Sequence, residues 1–257
     1  VYAVKSGMSL YKKNFDVAKL LIENGAFVNV TDNKGNTLLM RAIQEKWAIE
    51  AINFILSFNP DINVKNNEGK NAFMMASETG NCNIARDLFS KGAKIYDKDN
   101  EGNTALILSL ISGFNEIGIV KFLIDKGANV NEKNKHGKTP LLTLVSRGNS
   151  NQEIVNLLLN KGADIDERDG DGKTALHYAV ENTDEYLVKL LLEQAADYNL
   201  TDNNDVSAYR LALEKHTEAS EKEKEIEDGY GSIATEACLG IINAFHNAGV
   251  GSDWNRR

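Results

Sequence analysis

The chain has 257 residues, 42% of them hydrophobic, and a formal net charge of −8 from 37 acidic and 29 basic side chains. That balance argues against a nucleic-acid binder, which carries its cations as a basic face or stripe. No apolar run is long enough to cross a membrane, so no membrane insertion is expected.

One phrase then organises the whole chain. It reads Gly35-Asn36-Thr37-Leu38-Leu39, Gly69-Lys70-Asn71-Ala72-Phe73, Gly102-Asn103-Thr104-Ala105-Leu106, Gly137-Lys138-Thr139-Pro140-Leu141, Gly172-Lys173-Thr174-Ala175-Leu176 and a degraded Asp205-Val206-Ser207-Ala208-Tyr209. Its third positions, 37, 71, 104, 139, 174 and 207, are spaced by 34, 33, 35, 35 and 33 residues. A second phrase keeps step: Gly25-Ala26, Gly92-Ala93, Gly127-Ala128 and Gly162-Ala163, with Asn59-Pro60 and Ala195-Ala196 as variants. Two phrases locked at one period mark a solenoid, whose units bury their apolar faces only against their neighbours.

In chain order, residues 1–31 form a partial first unit that starts inside its first helix. Five full units follow at 32–65, 66–98, 99–133, 134–168 and 169–201, and a last runs over 202–257, all expected in one domain. The unit from Asp169 to Thr201 shows the plan. Asp169-Gly170-Asp171-Gly172 is a turn, since glycine supplies positive φ and aspartate closes side-chain turns. Thr174 caps a first helix by accepting the N–H of His177. Tyr186, Leu187, Leu190 and Leu191 recur at helical spacing and predict a second helix to about Glu193. Gly92, Gly127 and Gly162 hold the left-handed position after the corresponding helices. Alternations such as Asn129-Val130-Asn131 predict a short extended arm into the next turn.

Insertions fall between the paired helices, around Met8 to Lys13, at Gly113-Phe114-Asn115, at Gly148-Asn149-Ser150, and as a charged segment at 214–231. They place Tyr11, Trp47, Phe114 and Tyr230 along one edge as candidate aromatic contacts. Residues 232–247 read as an amphipathic closing helix with Ile233, Ala237, Leu239, Ile241, Ile242 and Phe245 for burial.

These motifs resemble those of ankyrin-repeat proteins. The family pattern of turn, Gly, Thr-Pro-Leu-His and Gly-Ala-Asp-Val-Asn matches Gly172 to His177 and Gly127 to Asn131 closely, and the match covers nearly the whole chain. Only His177 fills the family's histidine position; Met40, Met74, Ile107, Leu142 and Arg210 stand there elsewhere. The resemblance implies an all-α repeat solenoid of stacked helix-turn-helix units with projecting β-hairpin loops. It also implies protein–protein recognition on a concave surface of loop tips and first helices. Mapped here, the tips are Asn33, Lys34, Asn36, Asn67, Glu68, Lys70, Asn100, Glu101, Asn103, Lys135, His136, Lys138, Asp171 and Lys173. The helices contribute Gln44, Glu78, Ile111, Arg147 and Glu181, with Ile111 as the apolar anchor. The family also makes Asn29, Asn63 and Asn131 candidates for asparaginyl hydroxylation.

Enzymatic motifs dissolve on inspection. Gly137-Lys138-Thr139 and Gly172-Lys173-Thr174 imitate a phosphate loop, yet Glu132 and Glu167 occupy the place of its leading glycine. Asp164, Asp166, Asp169 and Asp171 lack the spacing and the closing glutamate of a calcium loop. None of the four histidines stands at metal-ligand spacing from a cysteine or carboxylate. No catalytic residue, cofactor or metal is therefore expected. Lys65, Lys98, Lys133 and Arg168 each precede a turn; stacked, they would make a basic stripe for an acidic peptide. Cys82 and Cys238 sit several units apart, too far for a disulfide, which suits an intracellular, cytoplasmic protein. The expectation is a monomeric scaffold for another protein or peptide, with a non-catalytic targeting module of a larger enzyme or effector as the alternative.

Overall fold

A computed structural model of the chain describes residues 15–113, 116–148, 151–225 and 233–250. Residues 8–13, Phe114, Asn115, Asn149, Ser150 and the 226–231 end of the charged segment, with Tyr11 and Tyr230, lie outside them. The helices gather into two compact bodies, one ending at Ala128 and the other beginning at Asn129.

The first body holds α1 (residues 15–23), α2 (Leu38–Gln44), α3 (Ile49–Ser57), α4 (Ala72–Glu78), α5 (Cys82–Ser90), α6 (Ala105–Ile111) and α7 (Ile117–Asp125). The second holds α8 (Pro140–Val145), α9 (Gln152–Asn160), α10 (Ala175–Glu181), α11 (Glu185–Glu193), α12 (Ala208–Glu225) and α13 (Ile233–Asn247). Within each body every first helix packs on its own partner and on the first helix of the next unit: α2 on α3 and α4, α4 on α5 and α6, and α10 on α11 and α12.

The division of labour follows from length and pattern. The first helices α2, α4, α6, α8 and α10 have six or seven residues, too few to persist in water alone, and are buried nearly all round. Residues 72–77 of α4 and 140–145 of α8 are all buried. Second helices are amphipathic and bury one stripe, such as Ile84, Ala85 and Leu88 of α5. Two serines inside are satisfied locally: Ser77 Oγ donates to Phe73 O at 2.9 Å and Ser109 Oγ to Leu106 O at 2.7 Å.

The cap positions read from the spacing are occupied. Thr37, Asn71, Thr104, Thr139 and Ser207 accept from the N–H three residues on, at 2.9–3.3 Å. At Thr174 the partner is His177, in a capping box. Second helices end on positive φ at Gly25, Gly92, Gly127 and Gly162, and Asn59 and Ala195 adopt the same conformation at φ 47° and 63°.

Four expectations are corrected. The arms are turns rather than extended: Asn129 Oδ1 accepts from Asn131 N at 2.9 Å and Asp164 Oδ1 from Asp166 N at 3.0 Å. Short polar side chains close on their own backbone there. The loops carry only single bridges, at Thr31–Thr37, Lys98–Thr104 and Thr201–Ser207, and no strand occurs among the described residues. Trp47 is largely buried rather than projecting, its Nε1 donating to Glu45 Oε2 at 3.0 Å. In α13, Cys238, Ile241, Ile242 and Phe245 are buried but Leu239 faces outward. No described helix is long and apolar enough to cross a membrane.

Candidate functional site

Each loop tip is closed by one aspartate or asparagine. Its Oδ1 accepts the N–H groups two and four residues on, at 2.8–3.0 Å. Asp32 does so for Lys34 and Asn36, Asn66 for Glu68 and Lys70, and Asp99 for Glu101 and Asn103. Asn134 serves His136 and Lys138, Asp169 serves Asp171 and Lys173, and Asp202 serves Asn204 and Val206.

Successive tips are then joined by main-chain bonds. In the first body Asn67 N donates to Lys34 O and Asn100 N to Glu68 O, both at 2.9 Å. In the second, Gly170 N donates to His136 O at 2.9 Å and Asn203 N to Asp171 O at 3.0 Å. The arms add rungs: Asn29 Oδ1 accepts from Asp61 N, and Asn131 Oδ1 from Asp164 N. Two of the three candidate hydroxylation side chains are thus ties between units.

The tips and first helices converge on a groove in the first body. It has a volume of about 460 Å³ and is lined by Asn67, Glu68, Lys70, Glu78, Asp99, Asn100, Glu101, Asn103, Leu108 and Ile111. Eight of these ten come from the residues mapped by sequence. Lys70 Nζ lies 2.9 Å from both oxygens of Glu78 and 3.3 Å from Glu68 Oε2. Burial alone would lower its pKa, but the bonds and charges of Glu78 and Glu68 outweigh it and hold the ammonium.

In the second body the same register brings Lys138, Lys173 and Glu181 around Tyr178. Lys138 Nζ stands 4.8 Å and Lys173 Nζ 5.6 Å from the ring centroid. Lys173 pairs with Glu181, and the phenol donates to Asp169 Oδ2 at 2.5 Å. Burial first, then that carboxylate, pushes the Tyr178 pKa up. Lys135, His136, Arg147 and Asp171 are exposed in the second body, and Asn33, Lys34 and Gln44 are exposed in the first body outside the groove.

Two mapped tips are less accessible than expected. Asn36 and Asn103 are buried at 4% and 7% exposure. Asn36 accepts from Asn66 Nδ2 at 2.8 Å, and Asn103 Nδ2 donates to Asp99 Oδ2 at 3.0 Å. The residue after the glycine turns inward where its amide can serve the turn. The cations before the turns are ties as well. Lys65 Nζ donates to Lys98 O at 3.0 Å and lies 3.6 Å from Asp97. Lys133 Nζ donates to Arg168 O at 3.1 Å and pairs with Glu167 at 2.8 Å. Arg168 donates to Gly172 O at 3.0 Å and Thr201 O at 2.6 Å. Arg168→Met is therefore expected to lower unfolding free energy by about 1 kcal/mol, measured by urea titration. A cation present only for a partner would leave the titration unmoved.

Sequence reasoning missed Asp99 and Leu108 in the groove and Tyr178 in the second body. The signal was available: Leu108, Thr143 and Tyr178 share one register position. It also missed a larger cavity of about 760 Å³ beside α12 and α13, lined by Tyr198, Tyr209, Leu213, His246 and Val250 among others. Its one cation, Arg210, is held by Glu214 at 2.9 Å. The groove, where mapped residues from two units meet, is the better candidate.

A family model described as ankyrin repeats (3 copies) matches residues 2–99, 48–134, 88–169 and 115–202, well over half of the chain. Among curated proteins, α-latroinsectotoxin-Lt1a of Latrodectus tredecimguttatus is 29% identical over 117 residues, 45% of this chain and 8% of the toxin. Transient receptor potential cation channel subfamily A member 1 of Homo sapiens is 35% identical over 83 residues, 32% of this chain and 7% of the channel. The chain thus spans less than a tenth of the length of these relatives.

Proposed function

The chain belongs to the ankyrin-repeat family, and from that premise we propose that it is a non-catalytic scaffold binding another protein, through a peptide segment, on its tips and first helices. The supporting observation is the first-body groove, where eight mapped residues from two units meet over main-chain rungs. A surface already held by such bonds loses little conformational entropy on binding. The partner is read as a protein and the scaffold as a monomer. Both cysteines are free thiols, which suits a reducing, intracellular setting.

An acidic partner was the expectation from the cation row. With Lys65, Lys133 and Arg168 held by carbonyls, that choice has less support than partner recognition itself. A second reading, a targeting module within a longer polypeptide, is favoured by the small share of both relatives that is matched.

Selection of a random twelve-residue peptide library against the full chain tests recognition. Enriched peptides should lose most of their affinity to an Ile111→Arg variant, which puts a charge on the groove floor. Failure of any sequence to enrich would remove peptide recognition as the function.

A further inference from the structure

We infer that the first-body groove is built for a positively charged segment, one that sets lysine or arginine beside an aliphatic side chain. This rests on the recognition reading above and names the chemistry of its partner. Four carboxylates, Glu68, Glu78, Asp99 and Glu101, line the groove against one ammonium, Lys70. That ammonium is not offered to an incoming anion: its side chain is 15% exposed and lies between Glu78 and Glu68. Two carboxylates around one cation leave a local surplus of negative charge. Asp99 adds its charge from below while its oxygens serve the turn. The side chain of Glu68 is 68% exposed and Glu101 is exposed, so the rim meets a ligand first.

The groove is also more than an acidic patch. Leu108 and the half-buried Ile111 give it an apolar floor, and its size falls in the range of ligand clefts. Carboxylates beside low-dielectric walls focus the field into the space between them. In the second body more cations offset the matching carboxylates, Asp169, Asp171 and Glu181. At the matching register in the second body, Lys138 and Lys173 crowd one tyrosine and Lys135 and His136 stand on the tip. A segment with an aliphatic side chain on Ile111 and a cation at Glu68 and Glu101 satisfies both features. An acidic segment would meet repulsion on both walls.

The test uses the full chain and the twelve-residue library. Lysine or arginine next to Leu, Ile, Val or Met should dominate the enriched sequences. A labelled synthetic peptide of the leading sequence, followed by fluorescence polarisation, should bind about tenfold more weakly to Glu68→Lys/Glu101→Lys. Its affinity for the parent chain should fall as salt is raised. Glu68→Gln/Glu101→Gln, which removes charge without reversing it, should give an intermediate loss and serves if the reversal disturbs folding. Enriched peptides that are acidic or uncharged, yet blocked by Ile111→Arg, would overturn this inference and leave the recognition reading standing. So would basic peptides indifferent to both double variants. No enrichment at all would overturn both.

Discussion

Alanine at Gly172 is expected to lower unfolding free energy by about 3 kcal/mol, from a left-handed backbone and a collision together. The same change at Gly162 should cost about 1 kcal/mol, from the backbone alone. Both glycines have positive φ, 77° and 86°. A Cβ on Gly172 would stand 2.5 Å from Asn203 Oδ1 and 2.8 Å from Asn203 N. The latter is main chain and forms the rung to Asp171 O, so it cannot yield without breaking the link between tips. Nothing lies within 4 Å of a Cβ on Gly162. The chain holds its own controls. Ala195 already occupies the position equivalent to Gly162 at φ 63°, and Asp205 replaces glycine at the sixth tip at φ 58°. Among the described residues no further tip stacks on Asp205. Urea titrations of the two variants decide the matter, and equal losses would mean that the rungs carry no close packing.

The second large effect concerns His177. Its Nδ1 accepts from Thr174 N at 3.2 Å, so the proton must sit on Nε2, which donates to Val206 O at 3.0 Å. The ring is 1% exposed and neutral, and it ties one unit to the next turn. His177→Ala should cost about 2–3 kcal/mol, since it leaves a cavity and strands polar groups on both sides. Burial lowers the His177 pKa below its ordinary 6.5. The unfolded chain therefore takes up a proton at a higher pH than the folded one. Stability contributed by neutral His177 is complete above about pH 6.5 and declines as pH falls toward the folded pKa. Melting temperatures at pH 7.5 and 5.5 should differ more for the parent than for His177→Gln, a non-titrating substitute. An equal difference would place the acid sensitivity elsewhere.

What the sequence made legible was local and periodic. The caps at Thr37, Asn71, Thr104 and Thr139, the glycine turns and the alternation of short and amphipathic helices each depend on residues three or four apart. Their spacing carries the physics directly. Features that depend on the next unit were harder. Lys65 and Arg168 read as exposed charge because nothing local shows that a long stem reaches a carbonyl 33 residues on. Asn36 looked like a tip residue because it is polar, but its amide bonds Asn66 in the following unit. Most of the groove was mapped residue by residue. Its charge was not, because Glu68, Glu78, Asp99 and Glu101 are scattered in the chain and share a groove only through stacking.

Preorganisation of the tips carries the functional proposal, and residue-resolved hydrogen exchange on the free chain measures it. The amides of Asn67, Asn100, Gly170 and Asn203 donate across tips, and should be protected to a degree approaching that of the inner helices α4 and α10. Exchange of these four amides at free-peptide rates, with α4 and α10 still protected, would contradict a recognition surface that is ordered before its partner arrives.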